Sequence, residues 1–544
     1  MSKKESFVKG TLILAGAALI ARLLGLFQRV PLEHILGDVG NASYVLANGI
    51  YFMLLPLATA GLPSTLSRMV SERHALDRPA ESERIYQAAL WFAAVTGILM
   101  SLFLYIAAPY YAAASRVPEA AIAIRTLAPA LLIFPLIAII RGYLQGRNIM
   151  IAGGISQVIE QIVRVGSGIS LAFVLYHMNA KGEEIAAAAT FGAVLGGVAA
   201  LVVMLYFNAK TKRQDRKDGL LQAKDDPNRL PFSKIYLEIF KLSIPIVLSS
   251  LTVPAVNFID GSILKPLLSQ HIGSEQATYI LGILGNRAQM IAGIPPILAI
   301  ALSTSLLPII SAAFARKDEE HLHRQVTLAM RVSVLTGMPM VIALTTAAYS
   351  VNGLLFSTRD GSSIIALLTF GTIFQITMMI SNSILIGVDK VNLSMAHVGI
   401  GVTVKLAFSL MLSRLLGVYG IILATILCFL TITLLNIRTM KKIVPFSIMG
   451  RRWTGFLVTV VLLSAAGYGL NQAGILLVSV LPDRLAFFVT CCIVGLAVVG
   501  LYPVLLVVLR VVRKDELAAY PAPLRKLLSP LMRLQRGGLP GQGS

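Results

Sequence analysis

The chain has 544 residues, of which 56% are hydrophobic and only 13% are charged, and its formal net charge is +21. An apolar excess of this size needs lipid around most of the chain and excludes a soluble enzyme. Apolar windows of about 20 residues recur along almost the whole sequence, and this is the length that crosses a bilayer core of roughly 30 Å as a helix. The composition therefore predicts an all-α polytopic membrane protein.

We predict fourteen transmembrane helices, arranged as two lobes of six helices and a final pair. The first span is interpreted as a retained helix and not as a signal peptide, because its apolar stretch continues beyond Arg22. The predicted spans are 10–30, 43–66, 85–108, 121–140, 151–175 and 185–206, then 236–264, 279–310, 327–349, 363–386, 393–412 and 418–435, then 455–480 and 485–512.

The predicted domain organisation follows from these spans. A charge-rich run at 210–218, of mixed sign and without hydrophobic periodicity, is typical of a flexible cytoplasmic linker. The predicted segments are an N-lobe at 1–207, the linker at 208–235, a C-lobe at 236–440, the last two spans within 441–512 and a cytoplasmic tail at 513–544.

Lys and Arg are concentrated in the segments that this arrangement places in the cytoplasm, as the positive-inside rule requires. We therefore expect a multi-pass protein of the bacterial plasma membrane with both termini in the cytoplasm. The positive charge then faces anionic membrane lipids, and because no basic stripe with interleaved aromatic residues occurs, we expect no nucleic-acid partner.

A faint internal repeat relates the two lobes. The sequence AGLPSTLS at 60–67 has a partner in ALSTSLLP at 301–308. Because each lobe holds an even number of predicted spans, both lobes enter the membrane from the same side, which predicts parallel repeats around a central cavity. Small and hydroxyl residues are also common in helix interfaces, so chance similarity is the alternative.

Arginines within the predicted spans are the main candidates for ligand binding, because a charge at the bilayer centre costs about 2.5 to 3.5 kcal/mol. Arg22 and Arg29 are seven residues apart and share one face of span one, and Arg287 lies about 13 Å along span eight. Guanidinium groups bind phosphate oxygens in bidentate fashion, so these three predict a pyrophosphate site. The alternative is that they reach the membrane surface or form structural ion pairs.

Two further groups of polar residues lie within predicted spans. Glu160 and Arg164 are four apart on span five, an order that favours an intrahelical ion pair with a supporting role in cavity polarity. Asn257 and Asp260 share a face of span seven, and Lys405 lies deep in span eleven. We expect Asp260 to pair with Lys405 or Arg287, either as a static bridge or as a switch whose protonation couples to transport.

Helix-breaking residues indicate kinks in three of the predicted spans, where cavity water or neighbouring helices can satisfy the freed carbonyls. These residues are Pro56, Gly61 and Pro63 in span two, Pro245 and Pro254 in span seven, and Gly293, Pro295 and Pro296 in span eight.

Five sequence motifs resemble a known family. They are ARLLGLFQR at 21–29, GNASY at 40–44, GLPSTLSRMVSE at 61–72, SQVIEQIVR at 156–164 and GNRAQ at 285–289. Together they resemble the polysaccharide-transporter branch of the MOP (MATE-like) exporter superfamily, in particular the stage V sporulation protein B and MurJ-type lipid II flippases of Gram-positive bacteria. The resemblance extends over all fourteen predicted spans.

This resemblance implies a MATE-like fold, two C-terminal helices that form a groove for a lipid tail, and export of lipid II for peptidoglycan synthesis, cell-wall biogenesis and cell shape. It also implies that Arg22, Arg29 and Arg287 bind the pyrophosphate. The chain departs from the family pattern at Asn41, where many relatives have an acidic residue, and around Leu55, where they have arginines. Some relatives have a sodium site to which spans seven and eleven contribute. Asp260 fits that site, but Lys405 takes the place of the cation, so we expect no sodium dependence.

The sequence therefore predicts a flippase that moves a polyprenyl-pyrophosphate-linked sugar to the outer leaflet by alternating access, and lipid II is the favoured cargo. A flippase for a teichoic-acid or capsule repeat unit is the alternative. A MATE-type cation antiporter would need acidic residues in its cavity, and a membrane glycosyltransferase would need a paired-acid motif in a loop. We expect a monomer that is not an enzyme and uses no cofactor or metal.

Overall fold

The computed structural model describes residues 16–17, 19–21, 23–59, 62–76, 78–217, 231–513, 525 and 528–532. All regular elements in these ranges are helices. Eleven of the described helices are long and apolar enough to cross a membrane, and they overlap predicted spans two to six and nine to fourteen one by one. The prediction of an all-α polytopic membrane protein is confirmed, and the total of fourteen spans stays a prediction.

Contacts between residues divide the chain into two compact units, Met1–Asn286 and Arg287–Ser544. The helices that begin in the first unit are α1 (Arg29–Thr59), α2 (Leu62–Ala75), α3 (Pro79–Ala114), α4 (Ala120–Gly146), α5 (Met150–His177), α6 (Gly182–Lys217), α7 (Phe232–Ser250), α8 (Thr252–Ile272), α9 (Ser274–Gly282) and a π-helix (Ile283–Ala288).

The second unit begins within the π-helix, and besides short 3₁₀-helices its described residues form nine α-helices. These are α10 (Gln289–Ala292), α11 (Pro296–Ala315), α12 (Glu319–Thr346), α13 (Ala348–Phe356), α14 (Ser362–Gly387), α15 (Val391–Leu416), α16 (Val418–Ile443), α17 (Trp453–Ile475) and α18 (Asp483–Val508). Its apolar core includes Val341, Ile380, Leu463 and Val494, from α12, α14, α17 and α18.

Helix α1 extends through residues 31–42, which the predicted spans leave as an outer loop, so this connection is helical. The helix bends at Gly37, whose backbone angles are φ 62° and ψ −178°. This conformation is open almost only to glycine. A single glycine thus lets the chain change direction while the residues on either side stay helical.

Two of the predicted spans are interrupted where the sequence contains proline. Span seven is divided into α7 and α8 at Leu251, between Pro245 and Pro254. Span eight contains the π-helix and then breaks between Ala292 and Pro296. Proline lacks the amide hydrogen that a helix interior needs, which explains why the chain breaks here. The kink expected at Gly293, Pro295 and Pro296 is confirmed.

Span two shows a related division, because α1 ends at Thr59 and α2 begins at Leu62. Pro56 lies inside α1. Gly61 lies outside the described residues.

The first part of the predicted linker is helical, because α6 continues to Lys217 instead of ending near residue 206. Ion pairs hold this extension against the first unit. Arg147 donates two hydrogen bonds to the Asp215 carboxylate, and Lys212 donates one to Glu83 at 2.6 Å. Burial alone would lower the pKa of Arg147, but the hydrogen bonds to Asp215 raise it above its ordinary value. Residues 218–230 lie outside the described ranges.

Candidate functional site

Arg29 lies at the start of α1 and contacts the end of the first unit. Its Nη1 donates to the backbone oxygens of Gly285, at 3.1 Å, and Asn286, at 3.4 Å. The guanidinium therefore satisfies two carbonyls of the π-helix.

Glu33 is a buried acid one turn after Arg29, and the sequence analysis missed it. Its side chain is 8% exposed, and its Oε2 accepts a 2.5 Å hydrogen bond from Nδ2 of Asn286. The same Nδ2 donates to Oδ1 of Asn41 at 2.9 Å. The spacing of four residues from Arg29 was a usable signal, but Glu33 fell in the predicted loop and so was not considered as a membrane residue.

Glycine allows α1 and the π-helix to approach closely. A Cβ atom at Gly285 would overlap the side chain of Val45, and one at Gly282 would lie 3.2 Å from Cβ of Asn41. The GNRAQ motif thus starts with a residue whose lack of a side chain lets Arg29 reach the main chain of the π-helix.

Arg164 on α5 lies in the same part of the first unit. Its guanidinium carbon is 5.6 Å from the centre of the Phe52 ring, a cation–π distance. The positive charge of Arg164 repels that of Arg29, and the negative charge of Glu33 attracts it. Arg29 and Arg164 therefore interact electrostatically within the first unit, whereas the sequence pattern predicted only a supporting role for Arg164.

The predicted ion pair between Glu160 and Arg164 is wrong. Glu160 accepts a 2.7 Å hydrogen bond from Nη2 of Arg141, which lies on α4, and the same nitrogen contacts Oγ of Ser156. Both charged side chains are mostly buried. Arg141 forms a direct ion pair with Glu160 from a neighbouring helix. An intrahelical pair at a spacing of four residues is a weak interaction.

Arg287 is the first residue of the second unit. It is half-buried, and its guanidinium carbon lies 5.8 Å from the centre of the Phe356 ring. Arg22 lies outside the described residues, so its part in the predicted pyrophosphate site stays a prediction.

The residues expected to couple transport lie in different units. In the first unit, Asp260 is buried and Asn257 is half-buried on α8. In the second unit, Lys405 on α15 is fully buried, and its Nζ donates to the Ile421 backbone oxygen at 2.9 Å and to Oγ1 of Thr425 at 2.6 Å. A carbonyl and a hydroxyl from α16 thus surround the ammonium group, which lowers the cost of burying its charge.

The second unit also holds a buried polar network that the sequence analysis missed. Asn436 donates through Nδ2 to Oδ1 of Asn382 at 2.7 Å and to Oγ of Ser381 at 2.9 Å. Its own Oδ1 lies 2.8 Å from Nδ1 of His397. These hydrogen bonds join α14, α15 and α16 through satisfied polar groups, which is a common form of helix packing in membranes.

Within the described ranges, no three His, Cys, Asp or Glu side chains are close enough together to bind one metal ion.

The helical arrangement is that of a MATE-type membrane transporter. A solved structure described as the inward-facing conformation of a multidrug resistance MATE family transporter of the MOP superfamily superposes with a TM-score of 0.63. It is 15% identical, and the match covers 78% of this chain and 94% of the other. At this identity, the likeness shows the fold.

The family model for polysaccharide biosynthesis proteins matches residues 7–314, more than half of the chain. The chain belongs to this family, and its described part has the helices of a multi-pass membrane protein. The resemblance read from the motifs is confirmed.

Two relatives from Bacillus subtilis (strain 168) support this placement. Stage V sporulation protein B is 27% identical over 539 residues, which are 95% of this chain and 98% of that protein. Lipid II flippase MurJ is 26% identical over 463 residues, which are 82% of this chain and 84% of that protein.

The partner of Glu160 can be tested with double-mutant cycles. Glu160→Ala and Arg141→Ala should each destabilise the protein by about 1 to 3 kcal/mol, because each leaves a mostly buried charge unpaired. Their effects should be coupled by at least about 1 kcal/mol, whereas those of Glu160→Ala and Arg164→Ala should add to within about 0.5 kcal/mol. Unfolding of the purified variants in detergent measures both cycles. Stronger coupling of Glu160 to Arg164 than to Arg141 would contradict the observed pairing.

Proposed function

We propose that the protein is a flippase that moves a polyprenyl-pyrophosphate-linked sugar, with lipid II as the favoured cargo, from the cytoplasmic to the outer leaflet by alternating access. The polar headgroup crosses through a hydrated basic cavity while the prenyl chain stays in lipid. Binding and a change of conformation are sufficient for this process, so it requires no covalent step.

The observation that carries the proposal is the position of Arg29 in the first unit, where its guanidinium contacts the π-helix backbone and interacts electrostatically with Arg164. Two guanidinium groups that act on each other inside a membrane protein are mutually unfavourable, and the single charge of Glu33 offsets them in part. A bound pyrophosphate would supply further negative charge and acceptor oxygens for both groups. An organic cation would add to the repulsion, which disfavours drug export.

The relatives support a lipid-linked substrate. One of them is named as a lipid II flippase, and the family description refers to polysaccharide biosynthesis. Pyrophosphate is the chemical group that lipid II shares with other polyprenyl-linked repeat units. We therefore propose Arg22, Arg29, Arg164 and Arg287 as the cations that receive this group, with Glu160 contributing to the polarity of their surroundings.

The direction of transport has a physical basis in the membrane potential. With the cell interior negative, outward movement of an anionic headgroup is favoured by about 2.3 kcal/mol per charge and 100 mV. The return to the inward-open state must be driven separately. We propose that Asp260, Asn257 and Lys405 couple this return to its energy source. We also propose that both termini are cytoplasmic and that the protein works as a monomer.

Removal of single arginines tests the binding site. Arg22→Ala, Arg29→Ala and Arg287→Ala should each slow lipid II flipping by about 10- to 100-fold, because each loses charge-assisted hydrogen bonds to the pyrophosphate. Proteoliposomes with fluorescent lipid II and a membrane-impermeant quencher measure the rate.

Arg125→Ala is the matched control for these variants. Arg125 lies on the membrane helix α4, but its side chain is exposed and contacts Tyr105. Its replacement should leave the flipping rate unchanged. Normal rates in both Arg29→Ala and Arg287→Ala would contradict the receptor role, and flipping of a teichoic-acid precursor but not of lipid II would select the alternative cargo.

Sodium should have no effect on transport, because the Lys405 ammonium already occupies a pocket of oxygen acceptors. Replacement of Na⁺ by K⁺ on both sides of the proteoliposome, at constant membrane potential, should leave the rate of lipid II flipping within about twofold, a change of less than about 0.5 kcal/mol. A steep dependence on sodium concentration would show that a sodium site exists elsewhere in the protein.

A further inference from the structure

Three side chains of α1 hold the two residues that precede Arg287. Arg29 donates to the backbone oxygens of Gly285 and Asn286, and Glu33 and Asn41 both accept from Nδ2 of Asn286. All of these residues belong to the first unit. We refer to Arg29, Glu33 and Asn41 as the α1 clamp.

The orientation of the two amides in the clamp is fixed by their partners. Nδ2 of Asn41 donates to the backbone oxygen of Glu33 at 3.4 Å, so Oδ1 of Asn41 faces Asn286. Nδ2 of Asn286 then lies between two oxygen acceptors, where the amide oxygen would be repelled. Glu33, Asn41 and Asn286 are all buried. In these hydrogen bonds of the clamp, each amide donor thus faces an oxygen acceptor.

The clamp acts on a segment with unusual main-chain hydrogen bonding. Residues Ile283–Ala288 form a π-helix, in which hydrogen bonds span one residue more than in an α-helix. Carbonyl groups in the membrane interior need partners, and a change of helix type alters which amides are available to them. Arg29 supplies donors to two of these carbonyls and so stabilises the segment in its π form.

We propose that Glu33 is a positioning residue for Arg287, because through Asn286 it holds the π-helix and thereby sets the direction of the next side chain. Return of this segment to α-helix shifts the register by one residue and rotates Arg287 by about 100° relative to the residues before it. The clamp thereby holds the main chain from which Arg287 extends toward the Phe356 ring. This inference rests on the proposed function for the role of Arg287 in binding pyrophosphate.

Chemical labelling of position 287 tests the clamp directly. The probe is Arg287→Cys in a full-length protein whose three native cysteines are replaced by serine, and the readout is its rate of reaction with a water-soluble methanethiosulfonate. Glu33→Leu should change this rate by about tenfold, because it removes a hydrogen bond to a charged group. Glu33→Gln should leave it nearly unchanged, since an amide oxygen still accepts from Asn286.

A charge exchange separates positioning from a general loss of structure. Asn286→Asp places two carboxylates together and should disturb labelling at position 287 as strongly as Glu33→Leu does. Addition of Glu33→Gln should restore part of the rate, because the new amide can donate to the carboxylate at position 286, although Oδ1 of Asn41 still faces that carboxylate. Arg125→Cys is the control probe, and its labelling should be the same in every variant.

The proposal is overturned if labelling at position 287 is equal in the Glu33→Leu variant and its parent. It is also overturned if the charge exchange restores none of the lost rate, or if positions 125 and 287 change together. Flipping assays distinguish this inference from the proposed function. Normal lipid II transport by Arg287→Ala, with clamp-dependent labelling, would reject the binding role and keep the clamp. Loss of transport by Arg287→Ala, with labelling that does not depend on the clamp, would keep the binding role and reject the clamp.

Discussion

A charge placed in the membrane interior has to be compensated by the protein, and this requirement explains the arrangement of the polar residues in both units. Arg29 is compensated by carbonyl oxygens and by the charge of Glu33, and Lys405 by a carbonyl and a hydroxyl. Glu160 has its partner on a neighbouring helix. These contacts offset the cost of a charge at the bilayer centre, which is about 2.5 to 3.5 kcal/mol.

In the first unit, the positive charges of Arg29 and Arg164 are only partly compensated, which suits an anionic ligand. Arg29 and Arg164 act on each other as like charges, while Glu33 supplies one negative charge to Arg29. A diphosphate group can satisfy two guanidinium groups, and its release restores the interactions within the protein. Such a site can bind its ligand reversibly, which a transporter requires because overly tight binding would prevent release to the other leaflet.

Features with a local cause could be predicted from the sequence, and features that depend on distant partners could not. Hydrophobic windows gave the membrane helices because a bilayer sets their length, and prolines gave the break in span eight because proline cannot donate to a helix. The bend at Gly37 was missed because one glycine in a polar stretch favours a loop as much as a kinked helix. Glu33 was therefore not considered in the candidate site. The partner of Glu160 depends on how α4 and α5 pack, which no spacing within a single helix contains.

The most direct test of the central claim is the affinity of the purified protein for polyprenyl-linked sugars that differ only in the number of phosphates. Binding in nanodiscs can be measured by displacement of a fluorescent lipid. Our account predicts that the pyrophosphate form binds at least about tenfold more tightly than the monophosphate form, since the second phosphate adds charge-assisted hydrogen bonds. Equal affinity for the two lipids, or tighter binding of an organic cation, would contradict it.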